Sequence, residues 1–370
     1  MKLKNVLTAA AVTGVVGWLT WAAWGIPGQI GARRGEVSPY AGGSPRYRDR
    51  KFHNSDPSSD APTPSGGLLR DALTRRSAGR PAGRVPLVPS VAPEVAAEVA
   101  VTWYGHSSVL VEVDGYRVLA DPVWSRRVSP STVIGPARLH PTPTPLADLP
   151  PVDAVVVSHD HYDHLDKATV HELVRTQKAP FVVPVGIGAH LRRWGVPEDR
   201  IVELDWDDST TLGGLTLTCT EARHFSGRGL TRNTTQWASW VLAGPVRRVF
   251  FGGDSGYTPR FADLGRRHGP FDMTLLPVGA YDERWSDIHM NPEEAVQTHA
   301  DLELGNGTLG VLVPIHWATF NLAFHPWSEP IERLLAAAEQ AETTVAVPRP
   351  GQRIDGLNPA HPSPWWVRLA

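Results

Sequence analysis

A short stretch that begins at residue 158 is crowded with side chains that bind metals. Residues 158–164 read SHDHYDH and contain three histidines and two aspartates. Imidazole nitrogens and carboxylate oxygens are common ligands of divalent transition metals. The preceding residues, PVDAVVV at 151–157, are typical of a strand that is buried on both faces. We therefore predict a metal site at the point where a core strand ends and a loop begins.

Other candidate ligands also stand at the ends of predicted strands. His224 ends the segment LTCTEARH, Asp254 ends RRVFFGGD, and His316 ends GVLVPIH. Ligand sites in α/β proteins form at such strand ends. The combined set contains the imidazole and carboxylate side chains of His159, His161, Asp163, His164, His224, Asp254 and His316. These side chains are sufficient to bind two metal ions that share one bridging carboxylate.

The composition restricts the metal chemistry and the partners. Cys219 is the only cysteine in 370 residues, which excludes a disulfide framework and a thiolate-rich zinc site. Zinc bound by histidine and carboxylate is therefore predicted, and iron or manganese are alternatives for the same ligands. The formal net charge of −2 gives no indication of a nucleic-acid partner. A ribonuclease is also disfavoured, because the catalytic region shows no basic patch.

The N-terminal residues 1–32 contain a long apolar run. No charged residue occurs from Val6 to Ile26, and about 20 apolar residues are enough to cross a bilayer as a helix. We predict a membrane anchor here, and a cleaved signal segment is the alternative because IGA at 30–32 is compatible with a cleavage site. The protein is accordingly expected to be membrane-associated, on a face of the membrane that the pattern leaves open.

The remaining chain divides into a linker and a folded domain. Residues 33–98 are rich in Pro, Gly, Ser and Arg and are predicted to form a mostly extended linker. From residue 99 onward, strand patterns come first, and strands and helices then alternate. A helix is predicted over 291–303, with Asn291 as N-cap and Pro292 at its first position. Residues 99–370 are thus predicted to form one α/β domain of two packed sheets flanked by helices.

The spacing HxHxDH over residues 159–164 resembles the signature of the metallo-β-lactamase superfamily, and the later candidate ligands follow that family's order. The resemblance implies a four-layer αββα sandwich with the metals at the open edge between its sheets. It also implies two zinc sites with one bridging ligand. The first zinc would be bound by His159, His161 and His224, the second by Asp163, His164 and His316, and Asp254 would bridge them.

Four blocks are similar to one branch of that superfamily, which contains the phospholipase D that hydrolyses N-acylphosphatidylethanolamine. They lie at residues 103–136, 155–166, 281–299 and 315–323. This resemblance implies a zinc-dependent phosphodiesterase that attacks such glycerophospholipids with a hydroxide held between the two metals, so a membrane lipid is the expected partner. A hydrolase of a lactone or of another phosphodiester is the first alternative. The second alternative is a non-catalytic metal-binding envelope protein.

Two residues are predicted to take part in the reaction itself. Asp163 is expected to orient the attacking hydroxide and to take or relay its proton. His289, which precedes MNPEEA, is expected to hydrogen-bond a phosphate oxygen or to protonate the leaving alkoxide. The alternative for His289 is a partly exposed histidine at the start of a helix.

Three residues are predicted to support the site. Asp121, at a strand end, is expected to accept the free N–H of a metal-binding imidazole, and an ordinary turn aspartate is the alternative. His106 is expected either to line the site or to cap a turn. Arg228, in FSGRG, is expected to contact an anionic head group, and a solvated loop charge is the alternative.

Overall fold

Two β-sheets form the centre of the computed structural model, which describes residues 17–18, 20–58, 67, 70–71, 77–303, 310–359 and 363–370. The strands are β1 Tyr47–Arg48, β2 Lys51–Phe52, β3 Val99–Gly105, β4 Ser108–Val113, β5 Tyr116–Ala120, β6 Ala154–Val156, β7 Phe181–Pro184, β8 Ile201–Leu204, β9 Ser209–Leu212, β10 Leu215–Thr220, β11 Ser239–Ala243, β12 Arg248–Phe251, β13 Met273–Pro277, β14 Val311–Ile315 and β15 Arg353–Asp355. The first central sheet is ordered β15, β3, β4, β5, β6, β7, β8, and the second is ordered β14, β13, β12, β11, β10, β9. The small hairpin β1–β2 lies apart from both.

The helices lie outside the two sheets. The α-helices are α1 Ile26–Ile30, α2 Arg34–Ala41, α3 Lys167–Thr176, α4 Ile187–Arg193, α5 Arg260–His268, α6 Pro292–Leu302 and α7 Glu329–Gln340. Short 3₁₀ turns occur at Leu146–Asp148, Glu198–Arg200, Glu283–Trp285 and Val367–Leu369. Helices α3 and α4 bury Leu173 and Leu191 in a cluster with Val155 of the first sheet. Helices α5 and α7 bury Phe261 and Leu334 in a cluster with the second sheet. The four layers confirm the predicted αββα sandwich.

The alternation of apolar residues along β4 explains how one strand serves two cores. Successive side chains of a strand point to opposite faces of the sheet. Val109, Val111 and Val113 pack into the cluster between the two sheets, together with Trp240 of β11. Leu110 instead packs into the cluster beneath α3 and α4. Both faces of β4 are therefore buried, which is why four of its six residues are apolar.

The start of α6 confirms the predicted helix boundary. The side chain of Asn291 accepts the backbone N–H of Glu294 at 2.9 Å, and the Glu294 carboxylate accepts the backbone N–H of Asn291 at 2.9 Å. Pro292 occupies the first turn, where its missing N–H costs no hydrogen bond. This capping box fixes the direction in which the chain enters α6, and His289 lies just before it.

Several short elements escaped prediction. Strands β8 and β9 are only partly buried, and β15 pairs with β3 through three residues near the C-terminus. Such short segments carry too few apolar residues to show a period of their own. Their pairing with longer neighbours decides their structure, and β8 and β15 form the two edges of the first sheet.

The predicted N-terminal membrane anchor is contradicted. Of the helices in the described residues, none combines the length and the apolar content that a bilayer crossing requires. Residues 1–16 and 19 of the predicted segment lie outside the described part. The end of the segment instead contacts the folded domain, because Trp194 Nε1 donates to the carbonyl of Gly28 at 2.9 Å, and the N–H of Ala32 donates to His190 Nδ1 at 2.9 Å.

Part of the predicted linker also packs on the domain. Phe52 is fully buried, and its backbone N–H donates to the carbonyl of Asn233 at 2.8 Å. The Asn54 amide donates to the carbonyl of His224 at 2.8 Å, next to a candidate metal ligand. The division at residues 32 and 98 stays a prediction. Residues 59–66, 68–69 and 72–76 of the linker lie outside the described part.

Candidate metal centre

Loops from both sheets meet at one edge of the sandwich. In the first sheet, the loop after β6 supplies the cluster at residues 159–164, and the β3–β4 turn supplies His106. In the second sheet, the candidate ligands His224, Asp254 and His316 follow β10, β12 and β14. Strands β12 and β14 run parallel to the intervening β13, so their carboxyl ends lie on the same side. Sheet topology therefore brings together residues that are far apart in the chain.

One group of ligand atoms contains three imidazole nitrogens. His159 Nε2 lies 2.8 Å from His161 Nδ1, and His224 Nε2 lies 3.4 Å from the same atom. The Nδ1–H of His224 donates to the carbonyl of Ile288 at 2.7 Å. This hydrogen bond leaves the Nε2 lone pair of His224 directed at the other two rings. Three lone pairs that converge in this way form one face of a metal site.

A second group combines histidines with a carboxylate. One ligand atom from each of His106, Asp163, His164 and His316 lies within 4.8 Å of the others. Asp163 Oδ2 lies 3.5 Å from Nε2 of both His164 and His316. It also accepts the Nε2–H of His106 at 2.9 Å. The second group therefore holds the other predicted ligands, with His106 beside them.

Asp254 lies between the two groups. Its Oδ2 atom is 3.0 Å from His316 Nε2 and 3.2 Å from His164 Nε2, on the side of the second group. The same atom is 3.8 Å from His224 Nε2 and 3.9 Å from His159 Nε2, on the side of the first. One carboxylate oxygen thus faces imidazole nitrogens of both groups, which is the arrangement a bridging ligand requires.

The unsatisfied polar atoms show that these residues fit metal ions. His164 Nε2, His316 Nε2 and Asp254 Oδ1 are buried and have no partner in hydrogen-bond geometry in the described part of the chain, although Asp254 Oδ2 lies close to both nitrogens. Buried polar atoms without partners are costly, so a set of them directed at one point indicates a bound group. Imidazole and carboxylate donors match divalent transition metals. The residues therefore form clusters that could hold metal ions.

The charges at the centre favour cation binding. Although burial opposes it, the neighbouring imidazoles of His164 and His316 hold the pKa of Asp254 well below its usual range. Burial also opposes ionisation of Asp163, but His164 and a hydrogen bond from His106 hold its pKa well below the usual value. Burial lowers the pKa of His159 far below 6.5. Although burial opposes it, Asp254 and Asp163 raise the pKa of His164 well above 6.5 and that of His316 to about 9. The centre thus holds ionised carboxylates and a neutral His159, and a bound cation would displace the protons of His164 and His316.

Asp121 supports a histidine in each group. Its Oδ2 atom accepts the Nδ1–H of His164 at 2.6 Å and the Oγ–H of Ser158 at 2.6 Å. Ser158 Oγ in turn accepts the Nδ1–H of His159 at 2.9 Å. Such hydrogen bonds select the tautomer that leaves Nε2 free for a metal. The contacts of Asp121 are those of the supporting role that was predicted for it.

The sequence pattern did not single out Asp160, which lies between His159 and His161. Its side chain is buried and accepts the backbone N–H of Gly227 at 2.7 Å and the Oγ1–H of Thr235 at 2.9 Å. It thereby ties the loop after β6 to the loop after His224. Its position inside the HxHxDH spacing was the available signal, but a variable position of a motif does not reveal its contacts.

Arg228 has contacts that favour a structural role over the predicted contact with a head group. The residue is 5% exposed. Its guanidinium donates to the backbone carbonyls of Asp160, Leu165 and Gln29 at 2.6–3.1 Å. It also lies over the ring of Tyr162, 4.1 Å from the centroid. Each guanidinium nitrogen is engaged, so Arg228 connects the N-terminal segment to the metal loop.

His289 lies between the metal centre and a cavity of about 610 Å³. Its Nδ1 atom is 3.9 Å from Asp254 Oδ2, and its ring is 5.0 Å from the ring of His224. The residue also lines the cavity, whose wall includes Tyr281, Phe324 and Arg333. Burial lowers the pKa of His289 to about 4. His289 is thus placed to contact a molecule that enters the cavity and reaches the centre.

Comparisons with known proteins agree with this geometry. The model of the Beta-lactamase superfamily domain matches residues 116–317, which are more than half of the chain. An uncharacterized protein of Mycobacterium tuberculosis is 56% identical over 363 residues, 97% of this chain and 96% of that protein. The N-acyl-phosphatidylethanolamine-hydrolyzing phospholipase D 1 of Caenorhabditis elegans is 38% identical over 231 residues, 59% of this chain and 64% of that protein.

Solved structures share the fold. An isothiocyanate hydrolase from Delia radicum gut bacteria superposes with a TM-score of 0.54 at 20% identity, over 70% of this chain and 99% of that chain. Igni18, a metallo hydrolase of Ignicoccus hospitalis, superposes with a TM-score of 0.52 at 24% identity, over 69% of this chain and 97% of that chain. The chain therefore belongs to the beta-lactamase superfamily, with the metallo-β-lactamase fold of a metallo-hydrolase.

Proposed function

We propose that this protein is a two-zinc phosphodiesterase of the phospholipase D type, acting on glycerophospholipids that resemble N-acylphosphatidylethanolamine. The position of Asp254 is the observation that carries the proposal. Its Oδ2 atom lies 3.2 Å from His164 Nε2 and 3.8 Å from His224 Nε2, and so it faces both ligand groups. A shared carboxylate between two groups supports a pair of ions, whereas a structural zinc site is closed and single.

The residues divide into ligands and reacting groups. His159, His161 and His224 would hold one ion, while Asp163, His164 and His316 would hold the other. When bound, the two ions would supply an activated water and would offset negative charge on the phosphoryl oxygens. The pKa of Asp163 lies well below its usual value, so this carboxylate would relay the proton that the water loses and not keep it, and its side chain is 15% exposed to solvent. The hydrogen bond from His106 keeps the carboxylate of Asp163 directed toward the centre.

His289 and its cavity are assigned to the substrate. A phosphodiester bound at the centre would bring a phosphoryl oxygen near the imidazole of His289, which can donate a hydrogen bond to it. The oxygen of water forms a bond to phosphorus. The bond between phosphorus and the ester oxygen of the N-acylethanolamine group breaks. The released oxygen takes up one proton, so the products are phosphatidic acid and an N-acylethanolamine. The similarity to the N-acyl-phosphatidylethanolamine-hydrolyzing phospholipase D 1 of Caenorhabditis elegans supports this choice of lipid.

The proposal is tested by incubating the zinc-loaded protein with N-acylphosphatidylethanolamine in detergent micelles. Phosphatidic acid and N-acylethanolamine are then measured by mass spectrometry. We expect both products in equal amounts, and a loss of at least about 100-fold in rate in Asp163→Asn, because the carboxylate would both bind metal and accept a proton. His171→Gln is the matched control, since His171 is an exposed histidine outside the centre.

Each negative result has a distinct meaning. Absence of both products from protein that carries two zinc ions would overturn the lipid substrate. The same protein would then be assayed with lactones and with other phosphodiesters, the other substrates compatible with such a centre. Binding of metal without hydrolysis of any of these substrates would favour a non-catalytic metal-binding protein.

A further inference from the structure

His106 contacts two members of the second ligand group through different atoms. Its Nε2–H donates to Asp163 Oδ2 at 2.9 Å. Its backbone carbonyl accepts the backbone N–H of His316 at 3.0 Å. The rings of His106 and His316 also pack together, with their centroids 4.0 Å apart. A single residue from the β3–β4 turn therefore links a ligand of the first sheet to a ligand of the second.

The surroundings of His106 hold it in an uncommon backbone conformation. Its φ angle is +55°, in the left-handed region that few residues other than glycine occupy. Two hydrogen bonds secure it there, and a third contact holds its partner Thr319. The His106 N–H donates to Thr319 Oγ1 at 2.6 Å, Trp103 Nε1 donates to the His106 carbonyl at 2.7 Å, and Thr319 Oγ1 lies 3.0 Å from His140 Nε2. Conformations of this kind persist where the surrounding structure over-determines them, and they cluster at functional sites.

We infer that His106 is a positioning residue for the second metal ion. His106 sets the separation of Asp163 and His316, and this separation determines the affinity for that ion. The inference rests on the two-metal part of the proposed function and is independent of the lipid substrate. The Nε2–H of His106 is already donated to Asp163, so the imidazole acts on the ion through that carboxylate. Hydrogen-bond partners of metal ligands typically change affinity by 10–100-fold.

The test measures zinc affinity and stoichiometry by competition with a chromophoric chelator and by elemental analysis. His106→Phe keeps a flat ring against His316 but removes the donor, and we expect binding of the second ion to weaken by about 10–100-fold. The first ion, at His159, His161 and His224, should keep its affinity in this variant. His106→Gln offers an amide N–H near the former Nε2 position and should restore the second affinity to within about threefold.

The outcomes separate this inference from the proposed function. Equal affinity for the second ion in His106→Phe and in the parent would overturn the positioning role. Failure of His106→Gln to restore binding would also overturn it, because the amide offers the same kind of donor to Asp163. A parent protein that binds only one ion would instead refute the two-metal proposal. If His106→Phe does not fold, His106→Leu provides a smaller side chain without a donor for the same comparison.

Discussion

Asp121 and His164 are joined by a contact of 2.6 Å between Oδ2 and Nδ1, and both side chains are fully buried. The same Oδ2 atom accepts a hydrogen bond from Ser158, which in turn accepts one from His159. One carboxylate therefore orients an imidazole in each ligand group. The two ligand groups therefore have two residues in common: Asp121 orients a histidine in each group, and Asp254 lies between the groups.

Replacing Asp121 should weaken metal binding at both groups. In Asp121→Asn the amide has no negatively charged oxygen that can accept hydrogen bonds from both Ser158 and His164. The imidazole of His164, and that of His159 through Ser158, would then lose their preferred orientation. We expect the affinity for zinc to fall by about 10–100-fold, measured by chelator competition. Asp199→Asn is the matched control because Asp199 is exposed. Unchanged zinc affinity in Asp121→Asn would contradict the supporting role.

Substitution of Asp254 should reduce the number of bound metal ions more than substitution of His161 does. Asp254 Oδ2 faces both groups, whereas His161 contacts only the first. The parent protein should bind two ions, and we expect Asp254→Ala to retain about one or none. Any ion that remains should be bound more weakly than in the parent. His161→Ala should retain the second ion at parental affinity. Elemental analysis after gel filtration checks both, and equal metal loss in the two variants would argue against a bridging Asp254.

Loss of Arg228 should reduce stability without a selective effect on substrate affinity. Arg228→Met leaves the carbonyls of Asp160, Leu165 and Gln29 without their donor. Buried acceptors without partners cost about 1–3 kcal/mol each, so we expect a decrease of about 2–4 kcal/mol in the free energy of unfolding. Urea denaturation measures it, with the exposed Arg175→Met as control. A raised KM with unchanged stability would restore the head-group role.

Acid should destabilise the fold through His299, which lies in α6 away from the metal centre. Its Nδ1 lies 2.8 Å from Thr274 Oγ1, and burial lowers its pKa from 6.5 to about 4. A lowered pKa means that the folded state holds the neutral form. The stability this contributes is complete above pH 6.5, is lost progressively as the pH falls below 6.5, and is fully lost by about pH 4.

His299→Gln tests this pH dependence, because glutamine can keep a hydrogen bond to Thr274 but does not titrate. Between about pH 7.5 and 5, the parent should lose about 2 kcal/mol more of its unfolding free energy than the variant does. The measurement is urea denaturation of both proteins at matched metal content, in which the other buried histidines contribute equally. Parallel pH profiles would exclude His299 as a source of the acid sensitivity.

The order of the elements and the identity of the candidate ligands are properties of the sequence alone. The alternation in β4 and the cap of α6 are visible locally, because a strand repeats every two residues and a capping box spans four. The HxHxDH spacing at 159–164 likewise places several ligands in one turn, whatever the rest of the chain does. These features depend on neighbours within a few residues, so the fold and the metal chemistry could be predicted from them.

Only the tertiary structure decided which distant residues act on one another. His106 and His316 are 210 positions apart, yet they share a backbone hydrogen bond because two different sheets end at the same edge. The burial of Arg228 and the hydrogen bond from the Trp194 indole to the Gly28 carbonyl likewise depend on contacts that no local pattern encodes. Hydrogen bonds and burial are determined by distance in space, which sheet topology sets after the local elements have formed.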